Sequence, residues 1–172
     1  MAVTRMILSR RFALLGALAS LGPLAACGKP KPPPMTADAA KAFLDKNAKE
    51  PGVVVTKSGL QYKVIRSGPA TGLHPKPADE IKVNYEGKLA DGEIFDSSYE
   101  RGAPAVMTLR GLVPGWVEAL QLMRPGDEWM IWLPAKLGYG DKSAGPIPPG
   151  SVLVFRLELI DVLPDESSVG RA

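Results

Sequence analysis

The stretch Leu112-Val113-Pro114-Gly115-Trp116 constrains this chain more than any other, because it opens a short helix with strand candidates on both sides. Proline suits a first helical turn, where its missing N–H would have no intrahelical partner. Trp116, Ala119, Leu120 and Met123 then recur at i, i+3, i+4 and i+7, with Glu118, Gln121 and Arg124 on the other side. One apolar stripe on so short an element predicts the plug of a curved sheet. Trp116 would face whatever hollow is left between the two.

The strands follow from their alternation. Leu60, Tyr62 and Val64 alternate with Gln61, Lys63 and Ile65, a half-buried strand. Ile81, Val83, Tyr85, Gly87 and Leu89 alternate with Lys82, Asn84, Glu86 and Lys88 at a strict period of two. Asp91-Gly92 turns the chain, and Ile94-Phe95 begins the return. A short strand from Val106 to Leu109 precedes the helix, and Glu128 to Leu133 follows it as a strand buried on both faces. After a long Gly/Pro loop from Leu137 to Gly150, the segment Val152 to Val162 places Leu153, Phe155, Leu157 and Leu159 on one face. The pattern predicts an α+β fold, an antiparallel five-stranded sheet curved around one short central helix.

The N-terminal part reads differently. Arg5, Arg10 and Arg11 precede an apolar run from Phe12 to Ala26, too short for a membrane span of about 20 residues and suited to an export signal. Cys27 follows two alanines, the position of an acylated cysteine in the lipobox of bacterial lipoproteins, which this end resembles; the alternative is an ordinary signal with an incidental cysteine. Residues 1–27 are therefore expected to be a lipoprotein signal peptide, 28–35 a Pro/Lys tether, and 36–57 a short helix capped by Thr36 with its linker. Residues 58–163 would be the folded domain and 164–172 a loose tail. Without the three signal arginines the chain has 18 basic and 18 acidic residues. A neutral body argues against nucleic-acid binding.

Conventional catalytic groups are scarce. His74 stands alone among prolines, Cys27 belongs to the signal, and Ser97-Ser98 lacks a neighbouring base. Asp79-Glu80 and Asp165-Glu166 read as solvated turns. There is no metal-ligand spacing and no phosphate-cradling glycine loop, so no metal or cofactor is expected. What stands out is aromatic placement. Tyr85 lies on an inner strand face, Phe95 starts a strand, Trp116 heads the helix, Tyr139 tips the long loop and Phe155 faces inward. Together they could line an apolar hollow with Asp96 and two phenols as its few polar groups, the make-up of a ligand pocket. A plain hydrophobic core would account for Phe155 and Tyr85 but poorly for Tyr139.

At these residues the chain resembles FKBP-type peptidyl-prolyl cis–trans isomerases. Val83-Asn84-Tyr85-Glu86-Gly87, Asp91-Gly92, Phe95-Asp96-Ser97-Ser98, Val113-Pro114-Gly115-Trp116, Gly138-Tyr139-Gly140, Ile147-Pro148-Pro149 and Leu153-Val154-Phe155 occur in that family's order and spacing. The lead-in Ser58-Gly59-Leu60-Gln61-Tyr62 is most similar to its exported bacterial branch, the macrophage infectivity potentiator-like proteins.

The resemblance implies a site in which Trp116 floors a proline pocket walled by Tyr85, Phe95, Val113 and Phe155, with Leu112 at the rim. Tyr139 would donate its hydroxyl to a substrate carbonyl, and the Ile147 backbone N–H would do likewise. Asp96 would be the polar group at the pocket edge, steadied by Arg101. Ala105 stands where many members carry an aromatic wall, which bears on macrolide binding. The implied partners are proline-containing exported proteins and macrolide inhibitors, with the membrane reached through a lipid anchor on the periplasmic or extracytoplasmic side. A proline-peptide binding module or holdase is the alternative to an enzyme. The Thr36–Lys49 helix is shorter than the dimer-forming helix of that branch, so a monomer is expected.

Overall fold

The structure, a computed structural model, describes residues 32–165. The expected signal with Cys27, the first half of the tether and the tail beyond Asp165 lie outside the described residues. In chain order, α1 (Ala37–Asn47) is followed by β1 (Val54–Val55), β2 (Gln61–Arg66), β3 (Glu80–Leu89), β4 (Ile94–Ser97) and β5 (Ala105–Thr108). Then come α2 (Pro114–Leu122), β6 (Glu128–Leu133) and β7 (Leu153–Leu163). The sheet order is β1-β2-β6-β7-β3-β4, with β5 also on β3, and every pairing is antiparallel.

Five strands were expected and seven are present among the described residues. The difference has two sources. β5 pairs Glu80–Val83 and β4 pairs Glu86–Lys88, so both fill one edge position of β3, interrupted by the excursion between them. β1 is two residues long, too short for alternation to reveal it. The antiparallel curved sheet with one short helix against it is otherwise as expected.

The inward stripe of α2 is buried in full: Trp116, Ala119, Leu120 and Met123 all join the core. Each large apolar side chain removed from water contributes about 1.5–3 kcal/mol, which a helix of this length needs to persist. Gly115 permits the approach. A Cβ there would stand 1.8 Å from Leu133 Cδ2, so any side chain would have to displace the buried Leu133. β7 keeps Leu153, Phe155, Leu157 and Leu159 inward, then skips Ile160 in its register with β3 between Lys82 and Val83. The bulge changes the inward parity, and Val162 is buried next.

Burial of β6 on both faces has an ionic component. Glu128 is buried because Arg156 (2.5 Å) and Arg66 (3.2 Å) close over it on the outer face, where Arg66 also reaches Glu158 (2.6 Å). β2 departs from simple alternation. Gln61 is 4% exposed while Val64 and Ile65 are open to solvent, because α1 covers only the start of the strand. Gln61 Nε2 donates to the Leu44 carbonyl (2.9 Å) and its Oε1 accepts from Asn47 (2.7 Å). Thr36 caps α1, accepting from the Ala39 N–H at 3.2 Å.

Two smaller expectations change and a third gains a partner. Pro32–Met35, read as free tether, lies along a groove shared with Leu89–Asp91 and Pro148. Asp79, read as solvated, is buried and accepts the N–H groups of Lys76 (2.8 Å) and Asp165 (3.2 Å), which ties down the start of the tail. His74 is exposed as expected, yet its Nδ1 bonds the Met123 carbonyl at the end of α2 (3.0 Å). Among the described residues no helix is long and apolar enough to cross a membrane.

Candidate functional site

A cavity of about 230 Å³ opens where α2, the inner faces of β3 and β7, the β3–β4 edge and the β6–β7 loop meet. Its lining joins Tyr85, Phe95, Asp96, Leu112, Val113, Trp116, Tyr139 and Phe155, all named from the sequence, with Met107 and Gly111, which were not. Met107 pairs with inward-facing Ile81, so the alternation of β3 carried to its edge strand would have exposed it. Gly111 closes a 3-10 turn, Leu109–Gly111, that no side-chain pattern announces.

Trp116 forms the floor. Tyr85 and Phe155 both meet the indole edge-to-face with centroids 5.1 Å apart, at 82° and 85°, and Phe95 meets Phe155 at 5.6 Å and 88°. Such pairs add about 0.5–1.5 kcal/mol each beyond their burial and hold the walls upright. Gly87 makes room for them: a Cβ there would fall 2.7 Å from the rings of both Phe155 and Phe95.

The local fold explains how two consecutive residues reach one cavity. In a regular strand Phe95 and Asp96 would point to opposite faces. Asp96 pairs with Gly87 and Ile94 with Lys88, leaving Phe95 as the extra residue of a bulge. That residue is released from alternation and turns inward beside Asp96.

One edge of the cavity is polar. The Tyr85 hydroxyl donates to Asp96 Oδ2 at 2.5 Å and accepts from Arg101 at 2.8 Å, while a second Arg101 nitrogen bonds Asp96 Oδ1. Burial first, then the bond to Asp96, push the Tyr85 phenol above its ordinary value of 10.0 against the pull of Arg101. The bonds to Tyr85 and Asp96 in turn hold the guanidinium charge more firmly. Ser98, fully buried, fixes the backbone beneath: its Oγ accepts the Tyr85 N–H at 2.8 Å. No group here is set up as a nucleophile with its base.

Two sequence assignments diverge at the donors. Tyr139 stands over the cavity, 44% exposed, with no hydrogen bond to its hydroxyl among the described residues. Ile147 is different. Its N–H already donates to the Ala144 carbonyl at 2.9 Å, its side chain lies in the core, and it does not line the cavity. The tight turn that Gly145 and Pro146 impose uses up that donor. The N–H of Val113, at the N-cap of α2 on the cavity wall, makes no hydrogen bond to a described residue. Ala105 packs on the core without lining the cavity.

The family model described as FKBP-type peptidyl-prolyl cis–trans isomerase matches residues 72–160, which hold every residue lining the cavity. The chain belongs to this family. A second model, the domain amino terminal to FKBP-type peptidyl-prolyl isomerase, matches residues 34–64, from the end of the tether through most of β2. The chain is 48% identical over 130 residues to the FKBP-type 22 kDa peptidyl-prolyl cis–trans isomerase of Escherichia coli K12, covering 75% of this chain and 62% of that protein. It is 48% identical over 122 residues to the outer membrane protein MIP of Legionella longbeachae, covering 70% and 52%. Among solved FKBP structures, FkpA from Escherichia coli superposes with a TM-score of 0.71 at 42% identity, over 74% of this chain and 59% of that one. The chain thus spans between 44% and 62% of the length of the curated FKBP relatives it matches.

Proposed function

We propose that the chain is a peptidyl-prolyl cis–trans isomerase that turns X–Pro bonds of exported proteins by shape, dryness and a few hydrogen-bond donors, without covalent chemistry. The observation that carries this is the open cavity above Trp116, walled by aromatic rings with a single polar edge. Rotation about the bond breaks amide resonance, a barrier of about 18–20 kcal/mol. Unaided it takes on the order of tens to hundreds of seconds. The planar amide is more dipolar than the twisted one. A dry apolar cup solvates the ground state less well than water does and tolerates the twisted state, which lowers the difference between them. The cavity volume of about 230 Å³ falls below the roughly 300–1,000 Å³ of pockets for drug-sized ligands and suits a single ring.

The pyrrolidine ring sits on Trp116 between Tyr85, Phe95 and Phe155, with Leu112 and Val113 at the rim. The Tyr139 hydroxyl and the Val113 N–H take the carbonyls flanking the bond, and Asp96, braced by Arg101 and Tyr85, faces the twisting amide. No cofactor enters this reading, and no proton is transferred. Macrolides would use the same cup. The name of the Legionella longbeachae relative supports a cell-envelope location. In this reading Cys27, after its two alanines, is the lipidated residue and the domain lies outside the cytoplasmic membrane. The internal docking of α1 through Gln61 favours a monomer.

The test is the cis–trans exchange rate of a short Leu–Pro peptide by NMR. Catalytic amounts of the chain should raise it far above the uncatalysed rate, and Asp96→Ala or Tyr139→Phe should lower that gain. Binding without acceleration would instead make this a proline-binding module or holdase.

A further inference from the structure

The loop that carries Tyr139 is braced from outside. Between β6 and β7 the chain folds on itself: the Gly140 N–H reaches the Ala135 carbonyl (2.8 Å), and the Gly150 N–H reaches the Gly140 carbonyl (2.9 Å). The second bond closes the neck of the loop one residue past Tyr139. Against that neck lies the segment leading into α1. The Met35 N–H donates to the Pro149 carbonyl at 3.2 Å. The Met35 carbonyl lies so near Gly150 that a Cβ there would stand 2.5 Å from it. Gly150 has φ +73°, so the position excludes ordinary side chains twice over.

The other end of α1 is latched to the sheet. Gln61 bonds both Leu44 and Asn47, and as the first residue of β2 it pairs with Trp132, two residues before the loop begins. Between the two attachments α1 runs beside Pro134, Ala135, Asp141 and Gly150, the base and neck of the loop, along a shared groove. Eleven residues at about 1.5 Å per residue make a strut of roughly 16 Å.

We propose that Gln61 is a positioning residue for the isomerase site, latching α1 so that Met35 holds the Tyr139 loop over the cavity. The inference rests on the isomerase reading above. A catalytic group displaced by about 1 Å can lose on the order of 10²-fold in rate, so a strut far from the reacting bond has leverage.

The test uses the full chain, with Gln61→Ala and, should that variant fold poorly, Asn47→Ala, which removes one of the latch's two bonds from the helix side and should give a smaller effect in the same direction. Amide hydrogen exchange should quicken by about tenfold or more at Gly140 and Gly150 while the β7 amides stay protected. Peptide exchange should slow by about three- to tenfold in the otherwise unaltered chain and by less than about 1.5-fold on a Tyr139→Phe background, because both changes act through one hydroxyl. Equal slowing on both backgrounds, or unchanged protection at Gly140 and Gly150, would overturn the proposal. Were the unaltered chain to leave the peptide at its uncatalysed rate, the isomerase reading would fall. The amide protection would then still decide whether α1 braces the loop.

Discussion

Trp116 and Trp129 are the same side chain in nearly the same burial, 5% and 6% exposed, and each has an indole N–H without a partner among the described residues. They differ in what covers the ring. Tyr62 stacks on Trp129 at 4.4 Å and 14°, a lid contributed by the neighbouring strand. No aromatic ring stacks on Trp116 among the described residues; Tyr85 and Phe155 stand edge-to-face to it, and it borders the cavity. One indole is core and the other is floor. Burial alone does not mark a site; a missing neighbour does.

The largest expected effect separates the two. Trp116→Ala and Trp129→Ala should each cost about 3–5 kcal/mol of unfolding free energy in denaturant titrations. Only Trp116→Ala should also lower peptide exchange per folded molecule, by tenfold or more on the order of a lost binding surface. Similar rate losses in both would erase the distinction drawn above. Next in size is the wall. Gly87→Ala should drive Phe95 and Phe155 apart, costing about 1–3 kcal/mol and slowing exchange in step. A variant with unaltered midpoint and rate would show that the rings have slack.

Smaller effects contrast the polar edge of the cavity with the ion network on the outer face. Asp96→Ala removes a half-exposed pair that solvent screens, so it should shift the unfolding midpoint little, yet should slow exchange strongly. Glu128→Ala should do the opposite, lowering stability with the rate unchanged, since Arg156 loses its carboxylate while Arg66 keeps Glu158. The pH dependences differ as well. The Asn84 hydrogen bond, then that of Arg66, lowers the Glu158 carboxyl below its ordinary 4.5. A depressed folded value means its stabilisation is present above 4.5 and lost as pH falls through the folded value. Tyr85 is raised, so its contribution holds below 10.0 and is lost as pH rises through the folded value. Thermal melts should therefore weaken at both ends, the alkaline loss shrinking in Tyr85→Phe, with Tyr99 (also raised by burial) keeping the rest, and the acid loss shrinking in Glu158→Gln.

Much of this was legible in the sequence, and the rest was not, for physical reasons. The helical stripe from Trp116 to Met123 and the alternation from Ile81 to Leu89 are local signals, and both faces lie where periodicity puts them. Aromatics at separate points along the chain lined one cavity because a curved sheet over a single helix has one hollow to offer. What periodicity could not show depends on register and on hydrogen bonds between distant segments. The bulge that turns Phe95 inward beside Asp96, the parity change at Ile160, and the pairing of Met107 with Ile81 are decided between strands. Gln61 looked like the polar face of β2 until α1 covered it. The Ile147 N–H looked available until its own turn consumed it.

The central claim is that a proline ring rests on Trp116, and intermolecular NOEs test it most directly. With a Leu–Pro peptide in excess, the account predicts contacts from the pyrrolidine protons to the indole of Trp116 and none to that of Trp129. Contacts confined to Trp129 and Tyr62, or a bound peptide whose ring touches neither indole, would contradict it.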